Sequence, residues 1–303
     1  MSSSSSADYR LLVTGASGQL GQRVVHHLLN TLNVKPSRIV AGSRNPDKLE
    51  NLAKLGVQTR RVDFSDAASV EAAAEGVERA LLISSDDLFG RREQHKIAIL
   101  ALAAAGVKHV AFTSLQEADV CVAHMAVDYR EAEQLIRENT AFAGYTILRN
   151  GMYFENAIGS IAGASKSGQW HTAIKDGKLA ALSRDDLGRA AACALVAGNA
   201  AEKNVYELTG SKALTIEEIA AQVSKTIGKP IQVIHVTPEA LAQGNVAATG
   251  MPENVATILA SLDTNTAEGH SGVAGDQFKQ LTGVDPQTHE EWLAANKEFL
   301  SSL

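Results

Sequence analysis

Short apolar runs alternate with alanine- and leucine-rich stretches through the first half of this 303-residue chain, and that alternation constrains its fold more than any other feature. The runs "RLLVT", "RIVAGS", "QTRRV", "RALLIS", "HVAFTS" and "YTILR" read as strands closed by turn residues. Helices are predicted between them over residues 18–31, 46–55, 67–75, 91–105 and 127–139. Strands joined through helices run parallel, because each crossover returns the chain to the same end of the sheet. They are apolar almost throughout, as strands covered on both faces are. The expected fold class is α/β, a doubly wound parallel sheet with helices on both faces.

Local signals agree with this placement. In "NPDKLENL", Asn45 is an N-cap and Pro46 takes the first helical position, where its missing N–H costs nothing. Thr215 and Glu218 form a capping box, and Gly228 is a C-cap. "NVYELTG" reads as a late strand returning to the sheet. From about Gly151 the alternation loosens into a loop, "GQWHTAIKDGKL", the helical "RDDLGRAAACALVAG" and a mostly helical tail that includes "TGMPENVATILASL". The expected organisation is a disordered tail over residues 1–8, a sheet domain over 9–150 with later returns near 179–210, and a smaller, mostly helical lobe over 151–303.

Composition removes several classes of function. The net charge is −6 with no basic run, so a nucleic-acid partner is not expected. No apolar run approaches the ~20 residues of a membrane helix, and "MSSSSSAD" lacks the apolar segment of a signal peptide. The two cysteines, Cys121 and Cys193, lie far apart outside any CxxC spacing, and the nine histidines show no HExxH or clustered pattern. Neither a disulfide framework nor a metal is expected, and a reducing compartment is. The acidic pairs Asp86-Asp87 and Asp185-Asp186 suit loops or helix amino ends. The expectation is a cytoplasmic protein, monomer or homodimer, whose partner is a small molecule.

The stretch "LLVTGASGQLGQRVVHHLL" sets Gly15, Gly18 and Gly21 between a strand and an amphipathic helix. In that setting Gly15 makes the turn, Gly18 lets the backbone approach a pyrophosphate, and Gly21 lets helix and strand pack closely. The helix amino end then offers free N–H groups and positive dipole to the anion, with Ser17, Gln19 and Leu20 in the same loop. No Gly-Lys-Ser/Thr ending follows, which disfavours a nucleoside triphosphate. The second strand ends "AGSRN", and no acidic residue stands between Asp8 and Asp47, so nothing in that window repels a phosphate. Arg44, with Ser43, stands where an adenosine 2′-phosphate lies, and NADP(H) is the expected cofactor. Ligands of such sheets lie across the carboxyl ends of the strands. Asp63 and Phe64 after the third strand are therefore candidates for adenine; Ile83, Ser84 and Ser85 after the fourth, and Thr113 and Ser114 on the fifth, are further candidates.

In order and spacing, "TGASGQLG", "SRNPDK", "DFSD", "LLISS", "AGVKHVAFTSL" and "YTILRNGMYFEN" resemble the NmrA-like branch of atypical short-chain dehydrogenases, from about Tyr9 to Gly210. Within that branch they are most similar to bacterial NADPH:quinone oxidoreductases and triphenylmethane dye reductases. The resemblance implies a Rossmann-type core, a preference for NADPH and a substrate cleft between core and C-terminal lobe. It also implies that Asn150, Gly151, Tyr153 and Asn156 lie by the nicotinamide and the acceptor. Phe154, in the same segment, is expected in the core.

Typical short-chain dehydrogenases use a Ser with a Tyr-x-x-x-Lys. Here Ser114 ends the fifth strand and Tyr129 lies on the next helix, but the position four residues on is Glu133, and a carboxylate there holds a phenolic proton more tightly. An alcohol dehydrogenase with the usual triad is disfavoured. Quinone reduction asks for less, since the carbonyls already accept hydride well and most of the gain comes from orientation. Ser114, Tyr129, Asn150 and Tyr153 are the catalytic candidates, and His95 a residue lining the acceptor. The leading expectation is an NADPH-dependent reductase of quinones or similar planar, electron-poor acceptors. A non-catalytic NADP(H)-binding redox sensor and a carbonyl or imine reductase are the alternatives.

Overall fold

The computed structural model describes residues 9–303. The tail expected over residues 1–8 lies outside the described residues. Strands β1 (Arg10–Val13), β2 (Ile39–Ser43), β3 (Gln58–Arg61), β4 (Val77–Leu82), β5 (His109–Leu115) and β6 (Gly144–Asn150) follow in turn. The chain leaves the sheet for β7 (Gln169–Thr172) and β8 (Lys178–Leu179), then returns through β9 (Lys203–Leu208). The sheet order is β3-β2-β1-β4-β5-β6-β9. β1 pairs in parallel with both β2 and β4, in a register that sets Leu12 against Val40 on one side and Ala80 on the other. The order therefore reverses between β1 and β4, the place where a doubly wound sheet opens a crevice for a ligand. This is the Rossmann-type fold.

Why these residues make strands is visible in what they bury. Leu12, Val40, Ala80, Leu82, Val110 and Phe112 lose all solvent contact, packed with Val70, Ile99, Leu102 and Ile136 from the helices. Each buried aliphatic side chain of this size contributes about 1.5–3 kcal/mol. β3 is the exception to the expected apolar run: "QTRR" is half-exposed at the sheet's edge. Charged side chains on an edge strand block pairing with another chain.

The helices between the strands are α1 (Gln19–His26), α2 (Glu50–Lys54), α3 (Ala67–Ala73), α4 (Arg91–Ala104) and α5 (Ala126–Glu138). The helix predicted over 18–31 is α-helical to His26 and a π-helical turn over His27–Thr31. Asn45 caps as expected, its side chain accepting from the Asp47 N–H at 3.1 Å, although the turn it opens, Pro46–Leu49, is 3₁₀ before α2 begins. Further on come α6 (Ile158–Ser167), α7 (Arg184–Val196) and α8 (Ile216–Ile227). The capping box of Thr215 and Glu218 is present on α8, and Gly228 closes it at φ 71°.

The segment "GQWHTAIKDGKL", expected as a loop, carries β7 and β8. β7 pairs in parallel with β11 (Gln232–His235), and β8 pairs antiparallel with β10 (Leu214–Thr215). The two-residue period of β7 is real, Trp170 and Thr172 inward and Gln169 and His171 outward, but polar letters on both faces conceal it. Two compact units result. The first comprises residues up to Ser114, Asp128–Leu148 and Leu187–Tyr206; the second comprises Leu115–Val127, Arg149–Asp186 and Glu207–Leu303. No helix among the described residues is long and apolar enough to cross a membrane.

Candidate functional site

The turn from β1 into α1 is shaped by its glycines. Gly15 has φ +61°, a conformation few side chains tolerate. A Cβ on Gly21 would stand 2.2 Å from the Gly15 carbonyl oxygen, so the helix can approach the turn only without one. α1 starts at Gly18 with no side-chain cap and no acidic residue in its first turn. The first bond into the helix runs from the Gln22 N–H to the Gly18 oxygen, which leaves the amides of Gln19, Leu20 and Gly21 ahead of it. Uncapped N–H groups and unopposed dipole make this an anion site, and the glycine cradle fits a pyrophosphate.

Ser17, Ser43 and Arg44 gather beside it. Ser17 Oγ lies 2.8 Å from Ser43 Oγ, which also accepts from the Asn45 N–H. Arg44 is exposed and reaches Asp86 Oδ1 at 3.7 Å. The window along the chain holds no acid, as expected, but the fold brings one in from 42 positions away. After β3, the Asp63 carboxylate accepts from the Ser65 N–H at 3.0 Å and pairs with Arg61 at 2.9 Å, while Phe64 packs against the core.

Hydroxyls tie the ends of β1, β4 and β5 together. Thr14 Oγ1 donates to the Leu81 carbonyl and accepts from the Ile83 N–H, both at 3.0 Å; Thr113 Oγ1 accepts from the Ser84 N–H at 2.9 Å. Beyond them Ser84 Oγ stands 3.1 Å from both His95 Nε2 and the Tyr129 hydroxyl, and donates to the latter. That direction leaves the phenolic hydrogen of Tyr129 for another acceptor. His95 Nε2 accepts from the Ser85 N–H at 3.2 Å, which puts the imidazole hydrogen on Nδ1. Burial, helped by the Arg91 charge, pushes His95 down to about 4.

Two of the candidate side chains, His95 and Ser114, are buried. His95 is only 1% exposed, packed edge-on against Phe112, and its Nε2 holds the Ser85 N–H. Ser114 is buried and donates to Glu133 Oε1 at 2.6 Å, and Glu133 Oε2 accepts from Arg137 at 3.0 Å. The carboxylate four residues after Tyr129 thus serves Ser114. A cation reaches the phenol from elsewhere: the buried Arg91 guanidinium lies 5.2 Å over the Tyr129 ring, its Nε donating to the Ser85 carbonyl at 2.8 Å.

In the second unit, Asn150 ends β6 and its Nδ2 donates to the Tyr153 hydroxyl at 3.2 Å. Asn156 follows, its N–H donating to the Tyr153 carbonyl at 3.0 Å. Phe154 is buried against Trp292, in the core as expected. Gly151 is hemmed by backbone, a Cβ there meeting the Leu208 oxygen at 3.1 Å. Asn150 Oδ1 and Gln116 Nε2 are both buried without a hydrogen-bond partner among the described residues, and the Gln116 N–H donates to the Asn150 carbonyl at 3.0 Å. An orphaned buried amide atom costs about 1–3 kcal/mol.

Over residues 7–293 the chain matches the NmrA-like family. It is a member of that family. Among NmrA-like and related proteins, quinone oxidoreductase 2 of Escherichia coli (strain K12) is 38% identical over 263 residues, which cover 86% of this chain and 88% of that protein. The crystal structure of NADPH-dependent quinone oxidoreductase QOR2 from E. coli complexed with NADPH matches at a TM-score of 0.88 and 36% identity, over 94% of this chain and 99% of that one. Triphenylmethane reductase of Citrobacter sp., complexed with NADP(H), matches at a TM-score of 0.86 and 31% identity, over the same shares. In this NmrA-like chain the sequence marks Asp86 only as a loop acid, and Arg91 and Gln116 not at all. No local spacing marks them; Asp86 meets Arg44, and Arg91 meets Tyr129, only through the fold.

Proposed function

We propose that this protein is an NADPH-dependent reductase that delivers hydride to a quinone or a similar planar, electron-poor acceptor. The observation that carries the reading is the uncapped, acid-free amino end of α1 behind a turn that tolerates no side chain at Gly21. The two relatives that act with NADPH or NADP(H) support it at more than 30% identity over nearly the whole chain. The coenzyme supplies the hydride. Gly15, Ser17, Gly18, Gln19, Leu20 and Gly21 hold its pyrophosphate, and Ser43 and Arg44 its 2′-phosphate. Ile83, Ser84, Ser85 and Thr113 flank it along the strand ends, and Asp63 and Phe64 stand toward adenine. In the second unit, Asn150 and Gly151 are assigned to the nicotinamide, and Tyr153 and Asn156 to the acceptor. The two cysteines, both buried and neither in a disulfide, suit a reducing compartment such as the cytoplasm.

Tyr129 is the group assigned to meet the acceptor's developing oxyanion. Ser84 donates to its oxygen, which orients the phenolic hydrogen outward, and His95, neutral above about pH 4, accepts from the Ser85 N–H and so holds the adjoining backbone. Ser114 gives its hydrogen to Glu133, so a part in catalysis falls to Tyr129 before it. Tyr129→Phe is expected to lower kcat about 10- to 100-fold, at the weak end of general-acid effects because a hydroquinone anion needs little help, with the Kd for NADPH unchanged. Steady-state kinetics and calorimetry read the two effects separately; equal loss of binding and turnover would show a structural role instead.

The direct test mixes purified protein with NADPH and small benzoquinones and follows nicotinamide absorbance. Loss well above the uncatalysed rate is expected. Tight coenzyme binding with no turnover across the panel would overturn the reductase in favour of a redox sensor. For the 2′-phosphate, Arg44→Ala is expected to weaken NADPH by about 1.5–3 kcal/mol and NADH far less, the worth of a lost charge-assisted contact. Equal losses would refute that role for Arg44.

A further inference from the structure

Resting on the assignment of Arg44 to the 2′-phosphate, we propose that Asp86 is a second reader of the adenosine ribose and limits how sharply this protein prefers NADPH to NADH. Asp86 follows β4, and its carboxylate lies 3.7 Å from the Arg44 guanidinium, with 86% and 71% of the two side chains exposed. It is aimed there by its neighbour. The Asp87 carboxylate turns back to accept from the Phe89 and Gly90 N–H groups at 3.0 and 2.8 Å, and from Gln94 Nε2 at 2.9 Å. The Asp87 N–H donates to Ser85 Oγ at 3.2 Å. The loop is thereby held at both ends, and of the two adjacent acids only Asp86 is left to face Arg44.

A guanidinium that binds a 2′-phosphate thus already has an anion beside it. When the phosphate arrives, the carboxylate competes for Arg44 and repels a group of nearly two negative charges. For a coenzyme with a free 2′-hydroxyl the same carboxylate acts in the opposite sense, because it accepts a hydrogen bond from the hydroxyl, as the acidic residue of NAD-selecting sites does. Arg44 and Asp86 therefore pull the preference in opposite directions, the cation toward NADPH and the carboxylate toward NADH. Both side chains are exposed, so solvent and salt moderate the effect.

The test is calorimetric titration of NADP⁺ and NAD⁺, which separates binding from turnover, into wild type, Asp86→Asn and Arg44→Ala. Asp86→Asn is expected to tighten NADP⁺ about three- to tenfold at low ionic strength and to loosen NAD⁺ about two- to threefold, as one surface charge against a dianion implies. The gain for NADP⁺ should shrink as salt is raised toward molar concentration. If Asp86→Asn changes the ratio of the two affinities by less than twofold while Arg44→Ala lowers it strongly, the role given to Asp86 is wrong and that of Arg44 stands. If Arg44→Ala leaves the ratio unchanged, the underlying assignment fails, and this proposal with it.

Discussion

Gly21→Val should abolish coenzyme binding and cost about 3 kcal/mol or more of stability, at the upper end of overpacking effects. The added Cβ would sit 2.2 Å from the Gly15 oxygen and 2.7 Å from the Ala16 Cα. Both obstacles are backbone, so no change of rotamer relieves them. Either α1 moves off the sheet, taking the buried Leu20, Val24 and Val25 with it, or the turn at Gly15 opens. Each escape displaces the amides that face the anion. Gly18 makes the useful contrast: its Cβ would meet the Gly15 oxygen at 3.1 Å, a clash a small shift can absorb, so Gly18→Ala should lose far less stability. Urea midpoints and calorimetric titration check both variants. A Gly21→Val protein with wild-type midpoint and affinity would refute the close approach of helix to turn.

Acidification from pH 6.5 to about 4 should remove up to ~3 kcal/mol of stability through each of two buried histidines. His95 in the first unit and His289 in the second are both pushed by burial from 6.5 down to about 4. The unfolded chain takes up these protons near 6.5 and the folded one only near 4. The contribution is thus complete above 6.5 and is lost progressively as pH falls through that window. His289 sits among Phe154 and Trp292, at 5.1 and 6.0 Å between ring centroids, with Nδ1 donating to Gln222 Oε1 at 2.6 Å. A proton there would charge an aromatic pocket. Burial holds Asp263 and Glu207 above the usual carboxylate range, and they act in the opposite sense, gaining stability as pH falls. The histidine effect is therefore read as the difference in slope between wild type and His95→Gln or His289→Gln, by urea unfolding across the window. Identical slopes would show that neither imidazole is desolvated as described.

The parts of the fold that the sequence discloses are those where one physical signal dominates. β1, β2, β4 and β5 are buried on both faces, so their apolar runs are unbroken; Thr215 with Glu218, and Gly228, carry their geometry in their chemistry. β7 escaped because three of its four letters are polar and its partner lies more than sixty residues on. The site divides the same way. The glycine turn is local and legible. The partners that decide the fate of Arg44, Tyr129 and Ser114 are not: Asp86 and Arg91 come from other parts of the fold, and Glu133 turns to Ser114. Spacing along a helix names which residues share a face, but which neighbour each side chain reaches is set in three dimensions.

The order of strands in the sheet also bears on how the chain is made. β9, residues Lys203–Leu208, is the outermost strand beside β6, so the first unit lacks one margin until Leu208 has left the ribosome. A fragment ending near residue 150 would present the unsatisfied amides of β6 to any passing strand, and should precipitate where the whole chain stays dispersed. Trimming this protein to a minimal nucleotide-binding piece is therefore a poor strategy, and a nascent chain stalled before residue 203 is a substrate for chaperones.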